Sequence, residues 1–191
     1  MIDVFAAYLR ERFRPRVFGP AVVVHAAAAL WATGTGPGVT SSAVALGLAV
    51  ALLLQFRLWD DLEDRERDRH HHPLRVLVRS DPTPFRVTCA LLAVANVVLL
   101  ATTGARAAAL GLVCLDVFFW AAYGPLRSRL SDRVWRFHVL LLKYPVFVVL
   151  MVAALGPLVP GRLLASSLAV YLCAYAYESL HDRELPLGAL S

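Results

Sequence analysis

The sequence predicts an all-α integral membrane protein, folded as a single bundle of about six transmembrane helices over residues 1–191. Two observations lead to this class: 59% of the residues are hydrophobic and only 17% are charged, and the mean hydropathy is +0.62. Soluble domains are about 45–50% apolar and about 25% charged. The composition therefore excludes an ordinary soluble domain and indicates that most of the chain lies in lipid.

Six apolar segments are predicted as membrane spans, with flanking aromatic and arginine side chains completing the shorter ones at the interface. They are Val17–Thr33, Val39–Leu58, Phe85–Thr103, Ala107–Tyr123, Phe137–Leu155 and Leu163–Tyr177. On one side of the bundle the connections are short and rich in Gly and Pro, around residues 34–38, 104–106 and 156–162. Such connections are typical of turns, so we expect the functional residues at the opposite side.

The basic residues are concentrated on one side of this bundle. Of the 19 Lys and Arg residues, 17 fall on the side of the N-terminus, and only Arg106 and Arg162 fall on the other. The positive-inside rule predicts a multi-pass protein of the cell (inner) membrane with both termini in the cytoplasm. The net charge of +5 fits anionic lipid headgroups or an anionic substrate. No pattern in the chain indicates nucleic-acid binding.

The most informative segment follows the second span. Ten of the thirteen residues from Arg57 to Arg69 are charged. If this segment continues the preceding helix, Asp60, Asp64 and Asp68 fall on one face, with Asp61 beside it. Carboxylates stacked in this way repel one another, so the spacing favours a bound cation among them, such as Mg²⁺ on a diphosphate.

A solvated loop is the alternative interpretation of the same segment. Charged helical loops between membrane spans are common, and ion pairs within one helix stabilise them. Asp61–Arg65 and Glu63–Arg67 have the i,i+4 spacing of such pairs, which need no ligand. Charge density alone favours this interpretation, whereas the spacing of the aspartates and the motifs that follow favour a ligand.

A further carboxylate lies within the fourth span, where an ionisable group is costly. One helical stripe, at the spacing i, i+4, i+7, i+11, is formed by Asp116, Trp120, Tyr123 and Arg127. If the stripe faces a cavity, Asp116 could polarise an acceptor or stabilise a cation, and Trp120 and Tyr123 would add aromatic faces. The alternative is a protonated Asp116, or one paired with the intramembrane His25 or Asn96.

Four short motifs carry a resemblance to a known family. They are Asp60-Asp61-Leu-Glu-Asp64-Arg-Glu-Arg-Asp68, then His72-Pro73-Leu-Arg75-Val-Leu, then Tyr123-Gly-Pro125-Leu-Arg127-Ser-Arg129, then Tyr177-Glu178-Ser-Leu-His-Asp182. In this order and after these spans, they resemble the N/D-D-x-x-D-x-x-x-D, H-P-x-R-P-L, Tyr-x-x-x-Lys/Arg and D-x-x-x-D elements of the UbiA superfamily of intramembrane prenyltransferases. Asp60 stands where that family usually has Asn, Val76 replaces a proline, and Glu178 replaces an aspartate.

The resemblance implies a helical bundle with a cavity open to the cytoplasm and the membrane. Two acidic motifs at its mouth would bind Mg²⁺, which holds the diphosphate of an isoprenyl diphosphate. The implied metal ligands are Asp61, Asp64 and Asp68, with Asp60 as a further ligand or a partner of one, and Glu178 with Asp182 for a second ion. The implied substrate-binding residues are Arg75, Tyr123, Arg127, Arg129, Lys143 and Trp120. Asp116 would be a catalytic residue deeper in the cavity.

The expected function is therefore Mg²⁺-dependent transfer of a prenyl group to a lipophilic acceptor. One alternative is a terpene cyclase of the same fold, which needs no acceptor. Another is a non-catalytic membrane subunit or lipid-binding protein. Since the six predicted spans lack the last spans of the family, we expect a homodimer, a partner subunit or lipid to complete the cavity.

Overall fold

The computed structural model describes residues 2–34, 38–131 and 134–181 of the chain. Within these ranges there are nine α-helices, which confirms the predicted all-α bundle. They are α1 (Ile2–Arg12), α2 (Pro15–Thr33), α3 (Val39–Glu63), α4 (Arg65–His71), α5 (Val76–Arg79), α6 (Thr83–Thr102), α7 (Arg106–Ala121), α8 (Lys143–Leu155) and α9 (Pro160–His181). Short π-helical and 3₁₀ turns join α7 to α8.

Five of the described helical segments are long and apolar enough to cross a membrane. They are Pro15–Thr33, Val39–Glu63, Thr83–Thr102, Arg106–Arg129 and Pro160–Leu180. The predicted span Phe137–Leu155 is shorter than expected, because its apolar helix covers only Leu140–Leu155. At about 1.5 Å per residue this is about 24 Å, less than the roughly 30 Å of hydrocarbon in a bilayer. Among the described residues, five helices are thus long and apolar enough to be full-length spans, and the sixth predicted span contains a shorter apolar helix.

The short helix α8 is the central helix of the bundle. It packs against α2, α3, α7 and α9, while the outer helices pack in the order α9, α2, α3, α6, α7 around it. Phe147, Val148 and Met151 on α8 are fully buried. On α2 and α3 the buried alanines Ala29 and Ala45 let the two helices approach closely. Four helices therefore cover much of α8, whereas Val149 on its remaining face is 43% exposed.

The charged segment continues α3, as the aspartate spacing predicted. The Asp64 amide donates to the Asp60 carbonyl at 2.9 Å, and the Asp68 amide donates to the Asp64 carbonyl at 2.8 Å. The i→i−4 hydrogen bonds therefore persist through the junction of α3 and α4. Asp60, Asp64 and Asp68 lie on successive turns of one face.

Arg65 does not pair with Asp61, although the two have i,i+4 spacing. Its guanidinium instead donates to three backbone carbonyls, those of Leu77 at 3.0 Å, Val78 at 3.2 Å and Ser80 at 3.0 Å. These carbonyls belong to the end of α5, where a helix leaves its last carbonyls without intrahelical partners. Arg65 thus holds α5 against α4, and the solvated ion-pair interpretation is wrong for this residue.

Regular helix ends at Ala121, two residues before the predicted end of the fourth span. Gly124 has φ −85° and ψ −106°, outside the helical region, and Pro125 has no amide hydrogen to donate. Residues Ala122–Leu126 therefore form a π-helical turn, followed by a 3₁₀ turn at Arg127–Arg129. This irregular stretch carries Tyr123 and Arg127 to the end of the bundle where α3 meets α4.

The turns on the opposite side use glycine in a left-handed conformation. Gly34 and Gly104 have φ of 71° and 82°, which L residues with a side chain adopt only with strain. Next to Gly34, the Val159 amide donates to the Ala32 carbonyl at 2.9 Å, so the turn after α2 contacts the start of α9. Gly34 therefore serves both a positive φ and a close approach between two helices.

Replacing Gly34 by Ala is expected to destabilise the protein more than replacing Gly104 by Ala. Both changes place a side chain at positive φ, which costs about 1–2 kcal/mol. Only at Gly34 would the new Cβ also clash, 2.6 Å from Val159 Cγ2, whereas no described atom lies within 4 Å of a Cβ at Gly104. Thermal unfolding in detergent measures the difference, and equal losses would contradict a packing role for Gly34.

Candidate functional site

A pocket of about 640 Å³ lies at the end of the bundle that carries the charged segment. Its charged lining residues are Arg12, Arg57, Asp60, Asp61, Glu63, Asp64, Glu66, Arg67, Asp68, Arg75, Arg127, Lys143 and Glu178. These are seven acidic and six basic side chains, so the opposite charges nearly balance. A ligand that itself combines negative and positive groups suits such a lining better than a simple anion does.

The pocket brings together most of the residues that the motifs singled out. The four aspartates come from the end of α3 and from α4, and they meet basic residues from three other parts of the chain, Arg75, Arg127 and Lys143. Glu178 lines the same pocket from α9. Asp182, the second residue of the last acidic motif, lies outside the described residues. Segments far apart in the sequence therefore contribute to one cavity.

Where α3, α7 and α8 meet, Asp60 is held by two donors. The Lys143 ammonium and the Tyr123 hydroxyl both donate to its carboxylate. Lys143 is only 3% exposed, and its ammonium also lies 5.9 Å from the ring centre of Phe119 and 5.4 Å from that of Tyr144. A buried ammonium and a nearby carboxylate stabilise each other, and either one alone would be strongly unfavourable. Tyr123 does not line the pocket itself and acts there through Asp60.

Asp61 points away from the row of aspartates and toward α1. It is 4% exposed and accepts hydrogen bonds from the Tyr8 hydroxyl at 2.9 Å and from Arg12 Nε at 2.8 Å. A second Arg12 nitrogen donates to its other oxygen, and Arg57 lies 3.6 Å away. Three hydrogen bonds therefore fill most of the about four acceptor positions of this carboxylate, and the Arg57 guanidinium lies close by. The expectation that Asp61 is a metal ligand does not fit this geometry, because one step along a helix turns the side chain by about 100°.

Asp64 and Asp68 are the other members of the aspartate row. Asp68 pairs with the Arg75 side chain, whereas the side chain of Asp64 forms no hydrogen bond or ion pair with the described part of the chain. Although Asp64 is open to the pocket, desolvation by the surrounding protein and the nearby Asp60 carboxylate raise the pKa of Asp64. Asp64 is thus the carboxylate of the row whose charge is least compensated, and a bound cation would lower its pKa.

Mg²⁺ fits these residues only in part. Across residues 2–34, 38–131 and 134–181, no group of three His, Cys, Asp or Glu side chains converges closely enough to hold a metal ion. However, Mg²⁺ is usually bound by one or two carboxylates, with water and substrate phosphates as its other ligands. Asp64 and Asp68, one helical turn apart on the pocket wall, could supply that number. Asp60 is already neutralised by Lys143, so it is better placed to orient this wall than to ligate the ion.

The predicted stripe on α7 does not face one cavity. Trp120 is 69% exposed, and neither Trp120 nor Arg129 lines the pocket. The buried face of α7 is instead formed by Leu112, Leu115 and Phe119, and Trp120 lies about 100° further around the helix. The expectation that Trp120 binds substrate in the cavity is therefore wrong for this structure.

Asp116 also lies outside the pocket lining, in a polar cluster that joins three helices. Gln55 Nε2 donates to Asp116 Oδ1 at 2.8 Å, and Asn96 Nδ2 donates to Gln55 Oε1 at 2.7 Å and to the Ala51 carbonyl at 3.1 Å. Asp116 thus reaches Asn96 only through Gln55, and His25 bonds the Ala21 carbonyl instead. The hydrogen bonds join α3, α6 and α7 where polar groups have few other partners.

Arg12, Arg57 and Trp135 are among the pocket residues that sequence reasoning missed. Arg12 and Arg57 reach the pocket because Asp61 holds them there. Trp135 is 3% exposed, with its ring 5.1 Å from the Tyr123 ring and 5.2 Å from the Arg127 guanidinium carbon. The arginine-rich N-terminal segment was the available signal for Arg12. No spacing in the sequence indicates where the segment after α7 folds back, so no signal in the sequence placed Trp135 in the pocket.

Comparison with known proteins adds no assignment to this geometry. No protein-family model matches the chain, and neither a curated protein nor a solved structure matches it. The function therefore has to be argued from the pocket and its motifs.

The buried ion pair leads to a prediction about stability. Lys143→Met is expected to lower the free energy of unfolding by about 3–5 kcal/mol, because it leaves Asp60 without its cation. Adding Asp60→Asn should recover most of this loss, since the charge without a partner is then removed. Chemical unfolding in mixed micelles measures the three variants. Additive losses in the double variant would contradict a direct dependence of Asp60 on Lys143.

The intramembrane cluster leads to a second prediction. Asn96→Leu leaves the side-chain amide oxygen of Gln55 without its donor and is expected to destabilise the bundle by about 0.6–1.7 kcal/mol. Asp116→Asn keeps an acceptor oxygen for Gln55 and should change stability much less. Thermal unfolding of both variants tests this difference. A larger loss for Asp116→Asn would show that the charge of Asp116, and not its acceptor oxygen, stabilises the cluster.

Proposed function

We propose that this protein is a Mg²⁺-dependent intramembrane enzyme that ionises an isoprenyl diphosphate and transfers the prenyl group to a lipophilic acceptor. The observation that carries the proposal is one pocket in which the aspartates of α3 and α4 face basic residues from three separate segments. The resemblance of four motifs to the UbiA superfamily supports the same reaction. An apolar bundle of possible membrane spans adjoins the pocket, which suits a substrate with a charged head and a hydrocarbon tail.

The proposed reaction breaks the bond between the allylic carbon and the diphosphate oxygen. The leaving group takes the electron pair, so stabilising its negative charge lowers the barrier. Arg75, Arg127 and Lys143 lie in the pocket as donors for that charge. Mg²⁺, held by Asp64 and Asp68, would supply further charge neutralisation and orient the diphosphate. Arg75 would then exchange its present partner, Asp68, for a phosphate oxygen.

The apolar part of the lining suits the prenyl end of such a substrate. It consists of Trp135, Leu140, Leu141 and Tyr144. Aromatic faces attract a cation, and water has to be kept away from an allylic carbocation until the acceptor reacts. Trp135, packed between Tyr123 and Arg127, places an aromatic face next to a basic residue of the site. Capture by the acceptor completes the transfer, whereas capture by a double bond of the same chain would make the protein a cyclase.

A non-catalytic lipid-binding role is the second candidate, and one observation favours it. Asp60, Asp61 and Asp68 are each neutralised by a basic side chain of the protein. A pocket with such internal pairs could bind a phospholipid headgroup without metal. In that case Mg²⁺ would have no effect on binding, and no bond would be broken.

We further propose that the pocket lies on the cytoplasmic face of the cell (inner) membrane, with both termini on that side. The charged residues at this end and the scarcity of Lys and Arg at the other end support this orientation. A second copy of the chain, a partner subunit or lipid would close any open side of the cavity.

Diphosphate release tests the proposed function directly. The purified protein in lipid nanodiscs is expected to release diphosphate from geranyl, farnesyl or geranylgeranyl diphosphate with Mg²⁺ and not with EDTA. Asp64→Asn should reduce the rate by a factor on the order of 100, because it weakens a metal ligand. Asp81→Asn is the matched control, since Asp81 is absent from the pocket lining and accepts a hydrogen bond from the Thr83 amide at 3.0 Å.

The products then separate the candidates. A prenylated acceptor indicates a transferase, and a cyclised hydrocarbon or alcohol formed without acceptor indicates a cyclase. Metal-independent binding of phospholipid, with no diphosphate released from any substrate in the presence of varied acceptors, would overturn the enzymatic proposal. Equal rates for Asp64→Asn and Asp81→Asn would overturn the assignment of Asp64.

A further inference from the structure

We infer that Asp61 is a positioning residue, which fastens helix α1 to the pocket and holds Arg12 and Arg57 there as a second set of diphosphate donors. The part that concerns the diphosphate rests on the proposed function. The part that concerns α1 rests on the contacts of α1 alone. In this assignment, Mg²⁺ binding depends on Asp64 and Asp68 and not on Asp61.

The first argument is the set of donors around Asp61. Arg12 binds both carboxylate oxygens, and Tyr8 adds a hydrogen bond of 2.9 Å to one of them. Burial and the adjacent Asp61 carboxylate raise the pKa of Tyr8, so its hydroxyl remains a donor. A paired Arg–carboxylate fork of this kind fixes the orientation of both groups. The two residues from α1 thus occupy Asp61 in a specific geometry.

The second argument is that α1 has an apolar contact surface next to this bond. The Phe5 ring stacks on the Phe85 ring at 4.5 Å, and the Tyr8 ring meets Phe85 edge-on at 5.2 Å. Tyr8 and Phe85 are both buried. Helix α1 is therefore docked on the start of α6 by aromatic packing, and its ion pair with Asp61 sets its position along that surface.

The third argument connects α1 to the remainder of the pocket. Glu11, one residue before Arg12, accepts the Val76 amide at 2.9 Å. Val76 follows Arg75, whose side chain pairs with Asp68. Helix α1 consequently holds the backbone next to Arg75 as well as the guanidinium of Arg12. Release of α1 would disturb two basic residues of the pocket and would leave Asp64 in place.

The charge of the pocket indicates what Arg12 and Arg57 do there. Both line the pocket, and the Arg57 side chain is 41% exposed. Arg12 binds both oxygens of Asp61, whereas Arg57 lies 3.6 Å from it. Their guanidinium groups lie beside the aspartate row, where an anion bridged by Mg²⁺ would have its oxygens. Arg12 and Arg57 would therefore bind the diphosphate from the side of α1, and Arg127 and Lys143 would bind it from the side of α8.

The test compares Asp61→Asn with Asp64→Asn in the full-length protein in nanodiscs. Asp61→Asn should raise the KM for the isoprenyl diphosphate about tenfold, because charge-assisted contacts of Arg12 are lost. The Mg²⁺ concentration for half-maximal rate should stay within about twofold of the wild-type value. Asp64→Asn should show the reverse pattern, with a raised Mg²⁺ requirement.

Hydrogen exchange of α1 provides a readout that needs no activity. Amide exchange in residues 5–12 should become about tenfold faster in Asp61→Asn, and less so in Tyr8→Phe, which removes one hydrogen bond and keeps the ring. Asp64→Asn should leave exchange in α1 unchanged. The double variant Asp61→Asn with Arg12→Gln should add little to the faster exchange, since both changes remove one interaction.

The outcomes are separable. A raised Mg²⁺ requirement in Asp61→Asn, with α1 still protected from exchange, would overturn the inference and make Asp61 a metal ligand. If Asp61→Asn does not fold, Tyr8→Phe decides the question by the same exchange measurement, and unchanged exchange there counts against fastening by Asp61. If the wild-type protein releases no diphosphate, the proposed function fails, and the exchange results still decide the role of Asp61 in holding α1.

Discussion

Two neighbouring carboxylates, Asp60 and Asp61, lie at the end of an apolar helix, and each needs its own cations to be stable there. Because the side chains of adjacent residues in a helix point about 100° apart, the cations must come from different directions. Lys143 and Tyr123 serve Asp60 from α8 and the end of α7, while Arg12 and Tyr8 serve Asp61 from α1. The segments that supply these partners thus form walls of the pocket, and the remaining site residues lie between them.

The sequence predicted the apolar helices and the row of aspartates, since both follow from short-range patterns. Hydropathy located all six apolar segments, and the spacing of Asp60, Asp64 and Asp68 placed them on one face before any contact was known. The sequence could not predict that Asp61 pairs with Arg12 of α1, because Arg12 lies 49 residues away in the chain. The shortness of α8 could not be predicted either, since hydropathy measures how apolar a segment is and not where its regular helix begins.

Asp116 also shows that contacts between distant segments limit what the sequence can predict. An acidic residue within a span suggests function, and its stripe ends at two residues of the site segment, Tyr123 and Arg127. Its partner Gln55 is completely buried and comes from α3, where one amide in a long apolar helix gave no signal of its own. Only the packing of α3, α6 and α7 shows that a carboxylate and two amides satisfy one another there. The polar cluster joins α3, whose end lines the pocket, to α6 and α7, so it supports the site without belonging to it.

The balance of charge in the pocket constrains what can bind. A bare diphosphate would meet the carboxylates of α3 and α4 at close range, and their repulsion would offset the attraction of the arginines. A diphosphate that brings Mg²⁺ presents positive charge to Asp64 and Asp68 and negative oxygens to the arginines, so both halves of the lining are used. This requirement disfavours an anionic phospholipid headgroup, which brings its phosphate without a compensating positive charge. The near equality of acidic and basic residues is therefore a stronger argument for the proposed substrate than either set of residues alone.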